Sequence, residues 1–437
     1  MPFLLVLTLL GMSLSAMPMA EESVELDEQK TQLMTHGNVS NLNVAGYQED
    51  SIYTYSTISG GGYTQCIITE SETVACFGSN EHGKRGINNE YRDWSYIEPA
   101  GQAGLWAVEG LPSTPMVEIT TGAQSTCSLS SLGKIWCWGG NLYGQLGLGY
   151  DSCFSQNNNA CNNGSNFPPM EVALPNGTTA VSLSDANQWH FCAILNTGQG
   201  LCWGANDHGQ LGDGTICTGG SGWAPDNNPS PGCSPYNGRF NPIIVGQGQL
   251  PSNTSFISIS TGFQHTCGIL DTNDLYCWGR NNGALGLGST GLNIPDPTFV
   301  DSDVVAVGTG DEHTCALYLD KTVSCWGVNE FGQLGTSNNY QSTVPVAINL
   351  SSNISLISLE VAYDNNCAID DTFEVYCWGR NNYGQTGSAP LTDVNGGQTT
   401  PLQAFPNSTV TYSPSSLSIN GESICWMLAN ESLACGG

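Results

Sequence analysis

"HTCGILDTNDLYCWGRNNGALGLG", residues 265–288, sets Cys267 and Cys277 ten positions apart and follows them with Trp278, Gly279 and a glycine-rich tail. The same spacing recurs along the chain in Cys66/Cys76, Cys127/Cys137, Cys192/Cys202, Cys315/Cys325, Cys367/Cys377 and Cys425/Cys435. Seven equal spacings define a repeat. Two residues before each first cysteine stands a polar residue: Thr64, Ser125, His190, His265, His313, Asn365 or Ser423. Two residues after it stands an apolar one, and the residue two before the second cysteine is apolar in every copy except the third, which has Gly200.

Residues at i and i+2 of a strand share a face. An antiparallel hairpin centred between the cysteines therefore puts the two sulfurs opposite each other, with the apolar pair next along the same face. Directly opposed residues in a non-hydrogen-bonded pair have Cα atoms roughly 4.5 Å apart, at the lower edge of disulfide reach. Each repeat thus has the geometry for a cross-strand staple. Zinc is the competing use of cysteine pairs, but structural zinc prefers tight knuckles and four ligands per ion, whereas each hairpin offers one wide pair.

After the second cysteine the frame continues as "CWGGNLYGQLG", "CWGANDHGQLG", "CWGVNEFGQLG" and their variants. Its glycines mark positive-φ turns, its Asn bonds to nearby backbone, and its Trp packs between sheets. The stretch "HTCALYLDKTVSCWGVNEFGQLG" at 313–335 resembles the repeat of the regulator of chromosome condensation family. The likeness covers about residues 60–437 and implies an all-β fold, a seven-bladed β-propeller of four-stranded blades. The last copy stops at Gly437, before its tail, so the alternating stretch "NVSNLNVAGYQ" at 38–48 is expected to supply the missing strand and close the ring.

Composition limits the function classes. Nine Lys and Arg against 38 Asp and Glu give a net charge of −29, and the nine cations form no cluster. Nucleic acid and anionic membrane surfaces are poor partners for such a chain. Residues 1–20, apolar from Phe3 to Leu10 with small residues at Ala16 and Ala20, read as a signal peptide, and 21–37 as an acidic flexible leader. The propeller then occupies 38–437. Export to the cell surface or beyond fits an even count of 18 cysteines. No stretch of about 20 apolar residues marks a transmembrane segment.

The first three repeat intervals are longer than the next two, and the excess falls after the glycine-rich tail, at about 87–118, 150–180 and 213–250. These insertions are expected to crowd one face of the ring. They carry Tyr91, Trp94, Tyr96 and Trp106 in the first repeat, and Trp223, Tyr236, Arg239 and Phe240 in the third. Cys153 with Cys161, and Cys217 with Cys233, can close local loops. Long loops on a rigid scaffold collect function, and aromatic and Arg side chains anchor interfaces. The same rings can equally seal the loops against the propeller.

No nucleophile elbow, phosphate loop or metal-binding helix motif is present. His190, His265 and His313 recur by frame and read as structural. Turns such as "DTND" at 271–274 lack the spaced ligands of a calcium loop. No catalytic residue, cofactor or metal is assigned. The expectation is an exported monomeric scaffold that binds an extracellular protein and is not an enzyme. Nucleotide exchange on the small GTPase Ran, the family's best-known activity, does not suit an acidic exported chain. A secreted member of similar fold inhibits β-lactamases, so the resemblance also implies an inhibitor-type or receptor-type binder. The alternatives are an extracellular enzyme or carbohydrate-processing protein using the propeller mouth, and an envelope or adhesion component. Eight Asn-x-Ser/Thr sequons, at Asn38, Asn163, Asn176, Asn253, Asn349, Asn353, Asn407 and Asn430, are potential glycan acceptors.

Overall fold

The computed structural model describes residues 58–69, 71–87, 105–149, 167–186, 189–218, 233–234, 237–351, 353–388, 396–404, 417–419, 424–427 and 433–436. Their regular structure is almost entirely short antiparallel strands, as the turn-rich, β-branched sequence predicts. Sheet one consists of Ile58–Gly61, Thr64–Ile68, Val74–Gly78 and Trp106–Ala107. Sheet two consists of Met116–Thr121, Ser125–Ser130, Ile135–Gly139 and Phe167–Glu171. The third to sixth sheets repeat this order of inner strand, cysteine hairpin and outer strand, ending with Gly397–Gln403. Asp185–Ala186 adds a short parallel pairing to the inner strand of sheet four.

Six sheets therefore hold at least four strands, and a last one, Leu417–Ile419, Ile424–Met427 and Leu433–Gly436, holds three. The described residues form six complete blades where the cysteine count predicts seven. The stretch 38–48, expected to complete the last sheet, lies outside the described residues.

The hairpins pair as the spacing predicts. Cys66 faces Cys76, Cys127 faces Cys137, and each later first cysteine faces its mate in register, down to Cys425 opposite Cys435. Disulfides close Cys66–Cys76, Cys127–Cys137, Cys192–Cys202, Cys267–Cys277, Cys315–Cys325 and Cys367–Cys377, with Cα separations of 4.0 to 4.1 Å. In the last hairpin the staple is described from one side. Cys425 is disulfide-bonded, whereas the side chain of Cys435, its expected mate, lies outside the described residues. Cys217 joins Cys233, while Cys153 and Cys161 lie outside the described residues. With their sulfurs bonded to each other, the described hairpin cysteines are not the thiolate ligands that zinc needs.

The core lies in the wedges between consecutive sheets. Trp138, Trp203, Trp278, Trp326 and Trp378 each follow a second hairpin cysteine, and each is fully buried against the preceding sheet. The next residue must be glycine for a local reason. Gly279 has φ 109°, and a Cβ there would lie 2.5 Å from the Gln264 carbonyl oxygen. Gly139, Gly204, Gly327 and Gly379 meet the same obstacle at 2.2 to 2.6 Å, so the strand turns into its tail only where no side chain exists.

The outer strands Trp106–Ala107, Phe167–Glu171 and Gly238–Ile244 fall inside the ranges read as insertion. These edge strands are largely half-buried or exposed and lack a clean alternation of apolar and polar residues, so no pattern marks them in the sequence.

Candidate interaction face

The strand order decides which ends of the sheets meet solvent together. Each inner strand turns into the second at one end, the second and third form the disulfide hairpin at the opposite end, and the third returns to the first end. The glycine-rich tails and the inner turns consequently share one end of the propeller. The disulfide hairpins and the links between sheets share the other.

Below the first end runs a buried polar lock. His190 Nε2 lies 2.7 Å from Thr266 Oγ1 on the next sheet, and Thr266 donates to the Gln210 carbonyl at 2.7 Å. Trp278 Nε1 donates to that same carbonyl at 2.9 Å. His265 repeats the arrangement with Thr314 and the Ala284 carbonyl, which Trp326 shares. His313 repeats it with Asn366 and the Gln333 carbonyl, which Trp378 shares. Because each threonine spends its proton on a carbonyl and the Asn366 Oδ1 only accepts, the histidines must donate from Nε2. Burial depresses the imidazole pKa values to about 3, 3 and 4. Strongly shifted histidines often mark catalysis, but here the shift follows from structural burial between sheets.

The inner turns are chemically diverse where the lock is uniform. Three residues before the first cysteine stand Tyr63, Gln124, Trp189, Gln264, Glu312 and Asp364. Tyr63 is exposed, and Trp189 meets Tyr143 edge-on with centroids 5.0 Å apart. Farther round, Arg280 bonds both Gln264 at 2.9 Å and Glu312 at 2.6 Å. Arg380 lies over the Phe331 ring and 3.7 Å from Asp364. Burial raises the Asp364 pKa to about 6, with Arg380 opposing and Glu312 and Glu330 adding to the rise. The end of the ring thus has an aromatic sector beside a charged one. This position carried a sequence signal that the expectations above did not use: a fixed place in the frame with no fixed residue type.

The insertion residues separate into two kinds. Trp106 is exposed on the outer edge of sheet one. Arg239, expected as a contact anchor, instead bonds Asp213 at 3.0 Å and Thr215 at 2.7 Å with its side chain largely covered. Phe240 is buried beside it. Arg239 thus has an acidic partner within its own repeat. Tyr91, Trp94, Tyr96, Trp223 and Tyr236 lie outside the described residues. Among the described residues no helix is long and apolar enough to cross a membrane.

Models of the regulator of chromosome condensation repeat match residues 116–145, 256–283 and 304–333, and also 133–194, 273–317 and 322–369. The ultraviolet-B receptor UVR8 of Arabidopsis thaliana is 22% identical over 356 residues, which is 80% of this chain and 70% of that protein. A bifunctional serine/threonine-protein kinase and NEDD4-like E3 ubiquitin-protein ligase of Dictyostelium discoideum is 26% identical over 226 residues, 52% of this chain but only 10% of that protein. The crystal structure of Kap60 bound to yeast RCC1 (Prp20) superposes with a TM-score of 0.65 at 16% identity, covering 96% of this chain and 84% of the other. With its matched repeats, stapled hairpins and radial sheets, the chain is a disulfide-rich β-propeller that carries regulator of chromosome condensation repeats.

Proposed function

We propose that this protein is an exported, monomeric binding scaffold that receives a protein partner on the end bearing the insertions and the variable inner turns. The observation that carries this reading is the separation of constant from variable chemistry. The lock of His, Thr or Asn, and Trp recurs between sheets, while the turn above it varies in residue type from copy to copy. A rigid body with a chemically varied face is what preorganised protein recognition requires. Exposed Tyr63 and Trp106 and half-buried Trp189 supply aromatic anchors, and Arg280 and Arg380 supply planar donors. Yeast RCC1, bound in its structure by Kap60, is an example of the same fold in a protein complex. The disulfides of the hairpins and of the third insertion suit an oxidising compartment.

The ring in this reading is seven-bladed. Leu417–Ile419 packs against Ile58–Gly61, bringing the three-stranded sheet beside sheet one, and we propose residues 38–48 as the source of its fourth strand. The binding role is tested by affinity capture from native extracellular material, comparing the intact chain with a variant carrying Trp94→Ala, Trp106→Ala and Trp223→Ala. A saturable partner held by the first and lost by the second supports the surface. Equal retention by both removes it, and absence of any saturable partner overturns the scaffold reading.

A further inference from the structure

Four of the eight sequons lie among the described residues, and all four stand at one end of the propeller. Asn176 sits in the link from the outer strand Phe167–Glu171 to the inner strand Ala180–Leu183. Asn253 sits between Gly238–Ile244 and Phe256–Thr261, and Asn349 and Asn353 between Ser342–Ala347 and Leu356–Ala362. An outer strand runs antiparallel to the third, so every such link emerges opposite the insertions. All four asparagines are exposed, and none is committed to a strand.

Local geometry ranks them as acceptors. Thr178 N donates to the Pro175 carbonyl at 3.1 Å, closing a turn with Asn176 and Gly177 at its tip. A Cβ placed on Gly177 would meet nothing within 4 Å, so the tip stands clear of the body. Asn253 is lifted from its link by a positive φ of 63° while Thr254 ties the loop to the Pro251 carbonyl. Asn353 is exposed on the link into sheet six. Asn349 differs, because its Nδ2 already donates to Ser337 Oγ.

We infer that this end is a glycan-bearing face, with Asn176, Asn253 and Asn353 as N-glycosylation acceptors and Asn349 unused. In the reaction, Nδ2 of each asparagine forms a bond to the anomeric carbon of an oligosaccharide carried on a polyprenyl phosphate or pyrophosphate. The anomeric carbon–oxygen bond to phosphate breaks, the lipid phosphate leaves with the electron pair, and Nδ2 loses one proton. The hydroxyl two residues on, from Thr178, Ser255 or Ser355, completes each acceptor sequence. Sugar chains at these three positions coat the disulfide-hairpin end. The inference rests on the exported reading above, since the acceptors meet such a donor only outside the cytosol.

The test is to pass the full chain through a secretory pathway that contains an oligosaccharyltransferase, once with its own first 20 residues and once behind a foreign signal. Glycans are released with a peptide N-glycosidase in ¹⁸O water, and labelled Asp is mapped alongside the disulfides. The expected result is label at positions 176, 253 and 353, with loss of one glycan mass in each of Thr178→Ala, Ser255→Ala and Ser355→Ala. Unlabelled positions in a chain whose hairpin disulfides have formed behind the foreign signal overturn the glycan face. Retention of the chain in the cytosol only when its own first 20 residues are used overturns the export reading instead.

Discussion

The three buried histidines make a quantitative prediction about acid. In the unfolded chain an imidazole takes its proton near pH 6.5, whereas His190, His265 and His313 in the fold do so only near 3, 3 and 4. Between those values the unfolded state binds more protons, so their contribution is complete above pH 6.5 and is lost as the pH falls toward 4. Each histidine is worth about 1.4 kcal/mol per pH unit in that window, and three together about 4 kcal/mol per unit. Glu360 and Asp364, with pKa values raised by burial to about 8 and about 6, act in the opposite direction, so the absolute slope is smaller. A comparison isolates the histidines. The perturbation is the triple variant His190→Asn, His265→Asn and His313→Asn, since Asn365 occupies this frame position in sheet six. Urea unfolding of the oxidised protein, followed by tryptophan fluorescence from pH 7 to 4, gives stability at each pH. The difference between the two proteins should change by several kcal/mol across the range, with the variant the less acid-sensitive. Parallel pH profiles would refute the neutral, buried lock between sheets.

The other predictions concern the frame itself. Gly279→Ala meets both a φ of 109° and the Gln264 carbonyl and should cost roughly 2–4 kcal/mol, whereas Gly177→Ala, with φ 79° in open space, should cost about 1 kcal/mol. Similar losses in urea titrations would contradict the steric account. Trp278→Ala should cost about 3–5 kcal/mol, and a double-mutant cycle with Thr266→Val should be non-additive because both donors share the Gln210 carbonyl. Strict additivity would show that they do not act together. Gln65 occupies the position of Thr266, yet its Oε1 and Nε2 are buried without a partner among the described residues. Gln65→Leu should therefore stabilise the protein by about 1 kcal/mol, and a loss of that size would mean that the carboxamide is engaged.

Much of the framework was legible because each element is local. A ten-residue hairpin, its staple, the strand-ending glycine and the Asn of the tail all interact within about fifteen residues, a range over which spacing alone constrains geometry. Outer strands such as Gly238–Ile244 were not, since an edge strand is exposed to solvent and needs no alternation. Arg239 and Phe240 looked like contact residues because their types are those of interfaces. Only the fold shows that Arg239 lies against Asp213 and Thr215.

The amino-acid order determined the repeat, the all-β class, the register of the cysteine hairpins and the glycine turns. The tertiary structure decided that His190 meets Thr266 rather than another hydroxyl, that the varied turns and the glycine-rich tails share one end, and that the described sequons share the other. Those relations join residues dozens of positions apart. They depend on the direction in which each strand runs and on how each sheet is rotated against the next, and neither is encoded in the spacing of any single repeat.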